Sequence, residues 1–158
     1  MAAMTDWSFY HLTRASLEEA LPKLLERVIA ANLRAVVLCG SEERVEALNA
    51  HLWTYDPASF LPHGTVKEGM APRQPIWLTA TDENPNGATV ALLTEGVSLA
   101  NPSAYARILD IFNGRDELAV AAARLRYKEA KTAGHWLKYY QQSDRGWTLA
   151  HEAKPVEA

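Results

Sequence analysis

A three-layer α/β domain, with a mixed and mostly parallel β-sheet between helices, is the fold class this sequence predicts. Three observations predict it. Leu33–Cys39 (LRAVVLC) is an apolar, β-branched run, as expected of a central strand covered on both faces. In the first half of the chain short strands alternate with amphipathic helical stretches, the order of parallel βαβ units. The 158 residues, 48% hydrophobic and 22% charged, suit one domain with a sizeable core.

The elements follow in order. WSFYHL (Trp7–Leu12) is short, aromatic and bounded by turn-formers, so it reads as a strand. Ser16-Leu17-Glu18-Glu19 fits a capping box, and Leu17, Leu21, Leu24, Leu25 and Val28 follow at helical spacing. Pro22 falls inside that pattern, where it either kinks the first turns or sets the true start. After the central strand and Gly40-Ser41, EERVEALNAHL reads as a helix with Val45, Leu48 and Leu52 inward and acids in its first turn. Trp53 to Pro75 holds four of the eight prolines and reads as a long surface connection.

IWLTAT (Ile76–Thr81) and TVALLT (Thr89–Thr94) read as two more strands. Only DENPNGA separates them, and a parallel crossover usually takes a dozen residues or more. The two are therefore expected to be antiparallel, or one of them to leave the sheet. SAYARILDIF (Ser103–Phe112) is expected to be a helix stopped by Asn113-Gly114. RDELAVAAARLRYKEAKTA (Arg115–Ala133) is a long Ala-rich helix ending at Gly134. HWLKYYQQ has no decisive pattern. The domain is expected to span 1–150, with 151–158 a frayed tail.

The totals exclude several classes. A net charge of −3 argues against a chain held to nucleic acid by phosphates, so any basic site must be local. The single Cys39 leaves no internal disulfide and fits a reducing cytoplasm. No apolar run approaches the roughly 18 residues of a membrane span. MAAMTDWSF shows no charged region leading into an apolar one, so no secretory signal is expected.

The search for chemistry is mostly negative. The strand-to-helix turn at Gly40 reads C-G-S-E-E, with neither G-x-G-x-x-G nor G-K-[ST], and Glu42 and Glu43 would repel a phosphate there. Cys39 ends a buried strand and faces those glutamates, the opposite of what activates a thiol. His11, His51, His63, His135 and His151 form no metal-ligand spacing. His63 closes the aromatic loop and reads as a packed residue rather than a base. Nothing calls for a cofactor or a catalytic centre.

Two features stand out. On the last long helix Arg124, Lys128 and Lys131 fall on one face, bordered by Tyr127 and Val120, with no acid between Glu117 and Glu129. Like charges at i, i+4 cost roughly 0.2–0.5 kcal/mol each. The face suits an anionic peptide with an apolar side chain, or else it is a solvated face neutralised by acids from elsewhere in the fold. The second feature is the loop LWTYDPASFLPHG. Its Trp53, Phe60, Leu61 and Pro62 either form a partner-binding patch or fold back to cap the sheet edge.

Leu52-Trp53, Phe60-Leu61-Pro62-His63-Gly64, Gln74-Pro75, Asn84-Pro85-Asn86-Gly87, Ala123-Arg124-Leu125-Arg126-Tyr127-Lys128 and Gly134-His135 form an ordered series. Together they resemble the chi subunit family of bacterial DNA polymerase III. The resemblance runs from Phe9 to the region of Trp147. It implies a non-catalytic clamp-loader accessory with a nucleotide-binding-like fold and no nucleotide site. It also implies binding of the acidic C-terminal tail of single-stranded DNA-binding protein, which ends in Pro-Phe, through Arg124, Tyr127 and Lys128. Val120 stands at a position that is basic in better-known members, and Lys131 is placed to compensate. The psi subunit, or another clamp-loader subunit, is expected on the aromatic surface of Trp53 and Phe60. The rival readings are a direct single-stranded DNA-binding module and a nucleotide-dependent α/β enzyme.

Overall fold

The computed structural model describes residues 5–56, 61–144 and 146–155. Its strands are β1 (Asp6–Leu12), β2 (Ala35–Leu38), β3 (Ile76–Thr79), β4 (Val90–Thr94), β5 (Arg107–Asn113), β6 (Trp136–Ser143) and β7 (Gly146–Ala153). They form one seven-stranded sheet in the order β3-β2-β4-β5-β1-β6-β7. All neighbours pair in parallel except β6 and β7. The helices are α1 (Leu17–Ala30), α2 (Glu42–Thr54) and α3 (Glu117–Thr132).

Two apolar layers sandwich the sheet. Leu21 and Leu25 of α1 and Leu48 of α2 pack on Val37, Leu78, Leu92 and Ile111 on one face. Ala123 and Ala130 of α3 pack on Phe9, Ile108 and Leu137 on the other. Residues of β2, β3 and β4 are buried on both faces, which is why these strands read as unbroken apolar runs. The fold is the expected mixed, mostly parallel α/β sandwich.

Three sequence expectations are corrected. Strands β3 and β4 are parallel, not antiparallel, because they are not neighbours: β2 lies between them. The chain from 80 to 89 crosses back without a helix. An extended chain covers about 3.3 Å per residue, so ten residues easily return the length of such short strands. Side chains fasten this crossover: Glu83 accepts from the Trp77 Nε1 and Thr79 Oγ1 groups, and Asn84 exchanges two hydrogen bonds with Ala88. The buried Asn86 donates to the carbonyls of Ala35 and Gln74.

Ser103–Phe112 is not a helix. A short 3-10 turn (Pro102–Ala104) leads into strand β5. Tyr105, Ile108, Leu109 and Phe112 happen to fall at i, i+3, i+4 and i+7, but the run is too short for a helix and is covered on both faces. The third correction is at the C-terminal end. Strands β6 and β7 form a hairpin that pairs Leu137 with Ala153, so His151–Ala153, expected in the frayed tail, are paired in β7.

Pro22 neither starts α1 nor ends it. It sits buried inside the helix, five residues after the Ser16 capping box closes on Leu17. A proline removes the N–H that would bond the carbonyl four residues back, here Glu18. His51 of α2 supplies the missing donor: its Nε2 lies 2.5 Å from the Glu18 carbonyl oxygen. A ring proton from the second helix thus replaces a backbone proton of the first. His51→Ala should cost about 1–3 kcal/mol in chemical denaturation, the penalty of an unsatisfied part-buried carbonyl. Pro22→Ala restores the local N–H, so the His51→Ala loss should shrink in that background. Equal losses in both backgrounds would show the two residues to be independent.

Candidate functional site

The orientation of α3 organises the strongest candidate site. Asp116 caps the helix by accepting from the N–H groups of Leu118 and Ala119. Only Ala123 and Ala130 on it are fully buried, and alanine contributes little apolar area. Arg126 supplies the firmer anchor. Its Nε and Nη2 donate to both carboxylate oxygens of Asp110 in β5, at 2.7 and 2.9 Å. Asp110 is 1% exposed, and its burial pushes the carboxyl up against the downward pull of Arg126. At 3.6 residues per turn, Arg124, Lys128 and Lys131 lie roughly 140–200° round the helix from Arg126. The buried pair therefore turns the basic stripe outward.

That stripe borders a cavity of about 740 Å³, lined by Arg124, Lys128 and Lys131 on the α3 side and by Gln141 and His151 on the hairpin side. Tyr127, Tyr139 and His11 line it as well. The Tyr127 ring packs at 5.4 Å from Phe9 and 6.2 Å from Tyr139. The Tyr139 hydroxyl lies 2.6 Å from His11 Nδ1, and His11 Nε2 faces the Gly114 carbonyl at 3.3 Å. A carbonyl only accepts, so Nε2 carries the proton and the tyrosine donates to Nδ1. A Cβ at residue 114 would lie 1.8 Å from the His11 ring, so only glycine allows this approach. Burial raises the Tyr127 and Tyr139 hydroxyls above their ordinary pKa, while Arg124 pulls Tyr139 down. Both stay neutral phenols and add no negative charge to the groove.

Among the described residues, none of Arg124, Lys128 and Lys131 takes part in an ion pair. Among the described residues no acid from elsewhere in the fold pairs with this face. Glu152 also borders the cavity, but its carboxylate accepts from the Trp136 indole at 2.7 Å. Val120 is half-buried and lines an adjoining smaller cavity with His11 and Arg124. The structure thus brings the helical site residues together. Tyr139, His11 and His151 were missed by sequence reasoning, because they come from strands β6, β1 and β7, which helical spacing on α3 cannot place beside it.

The aromatic loop divides. Trp53 is half exposed, with its ring 4.5 Å from that of His63. Leu61 is buried in the layer beneath α1 and α2, so it caps the sheet and cannot be part of an open patch. Pro62 is partly buried, and Phe60 lies outside the described residues. The His63 ring nitrogens face the carbonyls of Leu61 and Asn49, which is a structural role. Gly64 then bridges to Trp77 beside β3. Val66 and Met70 stand exposed on the same connection.

The turn after β2 holds no phosphate loop. Ser41 caps α2, and Arg44 is tied to Glu18 at 2.6 Å and Glu95 at 3.2 Å. The Cys39 thiol is pushed up to about 12, first by burial and then by Glu95, so it is inert. Among the described residues no three His, Cys, Asp or Glu side chains are grouped to hold a metal ion.

The family described as DNA polymerase III chi subunit, HolC, matches residues 4–138. The chain belongs to this family. A relative from Rickettsia prowazekii called probable DNA polymerase III subunit chi is 32% identical over 108 residues. That alignment covers 68% of this chain and 62% of the relative. DNA polymerase III subunit chi of Haemophilus influenzae is 26% identical over 132 residues, 80% of this chain and 90% of that protein. The chain thus spans just under two thirds of the first relative's length. The family's description ties its members to DNA polymerase III and so to DNA replication. No helix among the described residues is long and apolar enough to cross a membrane. The family match includes all of α3 and stops inside β6, so Tyr139, Gln141 and His151 lie beyond it.

The buried pair yields a stability prediction. Asp110→Ala leaves the Arg126 charge without its partner and should cost about 3–5 kcal/mol. Asp110→Leu combined with Arg126→Met removes both charges and should recover most of that loss in urea unfolding. If the double variant is as unstable as the single one, the pair's geometry, and not charge compensation, holds the helix.

Proposed function

We propose that this member of the chi family links the clamp-loader complex to the acidic C-terminal tail of single-stranded DNA-binding protein, in the cytoplasm and with no catalytic activity or cofactor of its own. The observation that carries the reading is the basic stripe of Arg124, Lys128 and Lys131, without an ion pair among the described residues, beside a groove with an aromatic floor. Carboxylates of the tail meet the cations, and its terminal phenylalanine enters between Leu125, Tyr127 and Tyr139. Lys131 stands in for the basic group that Val120 does not provide. The psi subunit, or another clamp-loader subunit, takes the surface around Trp53, Phe60 and Pro62.

The two surfaces belong to opposite edges of the sheet. Trp53 sits beside the segment that bridges β3, and the groove sits against β6 and β7. Seven strands leave six gaps. At about 4.8 Å each these separate the edges by about 29 Å. Sites that far apart should act independently.

The test is a titration of a labelled acidic peptide ending in Pro-Phe, run beside a labelled single-stranded oligonucleotide. The peptide should bind more tightly than the oligonucleotide, and its affinity should fall as salt rises. Arg124→Ala and Lys128→Ala should each weaken it by about 1 kcal/mol or more. Trp53→Ala should leave the peptide unaffected and weaken capture of purified psi. Preference for the oligonucleotide, or peptide affinity unchanged in both α3 variants, would reject the tail-binding groove.

A further inference from the structure

The groove has a second wall, and that wall has its own polar group. The hairpin register pairs Tyr140 with Leu149 and then Tyr139 with His151, so Ala150 is an extra residue in β7. Directly paired residues share a face of the sheet. In an unbroken register Ala150 would face Tyr139, and His151 would fall opposite Lys138 on the other face. The bulge at Ala150 therefore turns the imidazole onto the groove. Bulges that re-aim a side chain in this way are concentrated next to binding and active sites.

The ring is held but not used. It packs edge-on against Tyr139 at 6.0 Å, 65° between planes, and Tyr139 in turn is pinned by His11. Neither ring nitrogen of His151 has a hydrogen-bond partner among the described residues, and the side chain is exposed in the same cavity as Arg124 and Lys128. Because Tyr139 also touches Tyr127, the imidazole stands across from the middle of the basic stripe.

We propose that His151 is a further ligand-contacting residue of this groove, donating a ring N–H to a carboxylate of the bound acidic peptide from the side opposite α3. The inference rests on the tail-binding reading. It adds that the peptide is clamped between helix and hairpin and does not lie on the helix alone. It also makes a segment outside the span matched by the family a determinant of specificity here. Among the described residues Glu152 is the one acid bordering this cavity, and its carboxylate is held by the Trp136 indole N–H.

The experiment uses the full chain and the labelled acidic peptide ending in Pro-Phe, with thermal unfolding as the control for folding. His151→Ala should weaken binding about three- to tenfold with an unchanged unfolding temperature, because one charge-assisted hydrogen bond at an exposed site is lost. His151→Phe keeps an aromatic ring against Tyr139 but has no ring nitrogen, and it should lose as much. Amidating the peptide carboxylates one at a time should identify one carboxylate whose loss costs wild type more than it costs either variant. Wild-type affinity in His151→Phe would show the ring to be packing only and overturn the proposal. So would affinities within twofold of wild type in both variants while Arg124→Ala still weakens binding, a result that leaves the α3 site intact. If wild type itself does not bind, or Arg124→Ala has no effect, the underlying tail-binding reading fails and takes this inference with it.

Discussion

The bidentate pair between Asp110 and Arg126 sets most of what the rest of the molecule displays. Helix α3 has modest apolar substance to hold it: buried Ala123 and Ala130, partly buried Val120 and Tyr127, and exposed Leu118 and Leu125 elsewhere. A helix so lightly packed is free to roll unless something directional fixes it. The guanidinium fork provides the direction, since its planar donors fit a carboxylate in one geometry. Burying a carboxylate in a central strand carries a desolvation cost that apolar residues would avoid. What the molecule has in exchange is a fixed rotation of α3, and with it an outward face of three cations that make no ion pair among the described residues.

The unevenness of what could be read in advance follows from which interactions are local. The stripe on α3 was legible because helical spacing alone places Arg124, Lys128 and Lys131 together. The capping box at Ser16 and the central strand at Leu33–Cys39 were legible for the same reason. Strand β5 was misread because Tyr105, Ile108, Leu109 and Phe112 satisfy the helical period, and the run's shortness and burial on both faces outweigh that period. Asp110 was invisible for the same reason: in a helix it would have been an ordinary surface acid. The β3–β4 relation depended on a third strand lying between them, which short-range spacing cannot reveal. The far wall of the groove needed the hairpin register, and the bulge at Ala150 leaves no mark on composition.

The two readings of the aromatic loop, partner patch and sheet cap, divide between its residues. Leu61 and His63 hold the connection down on the sheet, one by apolar burial and one by facing two carbonyls. Trp53 remains half in solvent on the last turn of α2. The same few residues therefore serve both packing and display, and a loop rich in both prolines and large rings is what that combination requires.

The position of β1 has a consequence for how the chain is made. This strand lies between β5 and β6, pairing Asp6 with Arg107 on one side and with Trp136 on the other. Both partners are synthesised long after it. At about 5–20 residues per second, a hundred residues take roughly 5–20 s to emerge. During that interval Trp7, Phe9 and Tyr10 belong to a strand with no neighbours, while β2, β3 and β4 can already assemble. Such distant pairing slows folding and leaves an aromatic strand open to wrong partners. The nascent protein is most exposed to aggregation at β1, and closure of the sheet there is the step that ends the hazard.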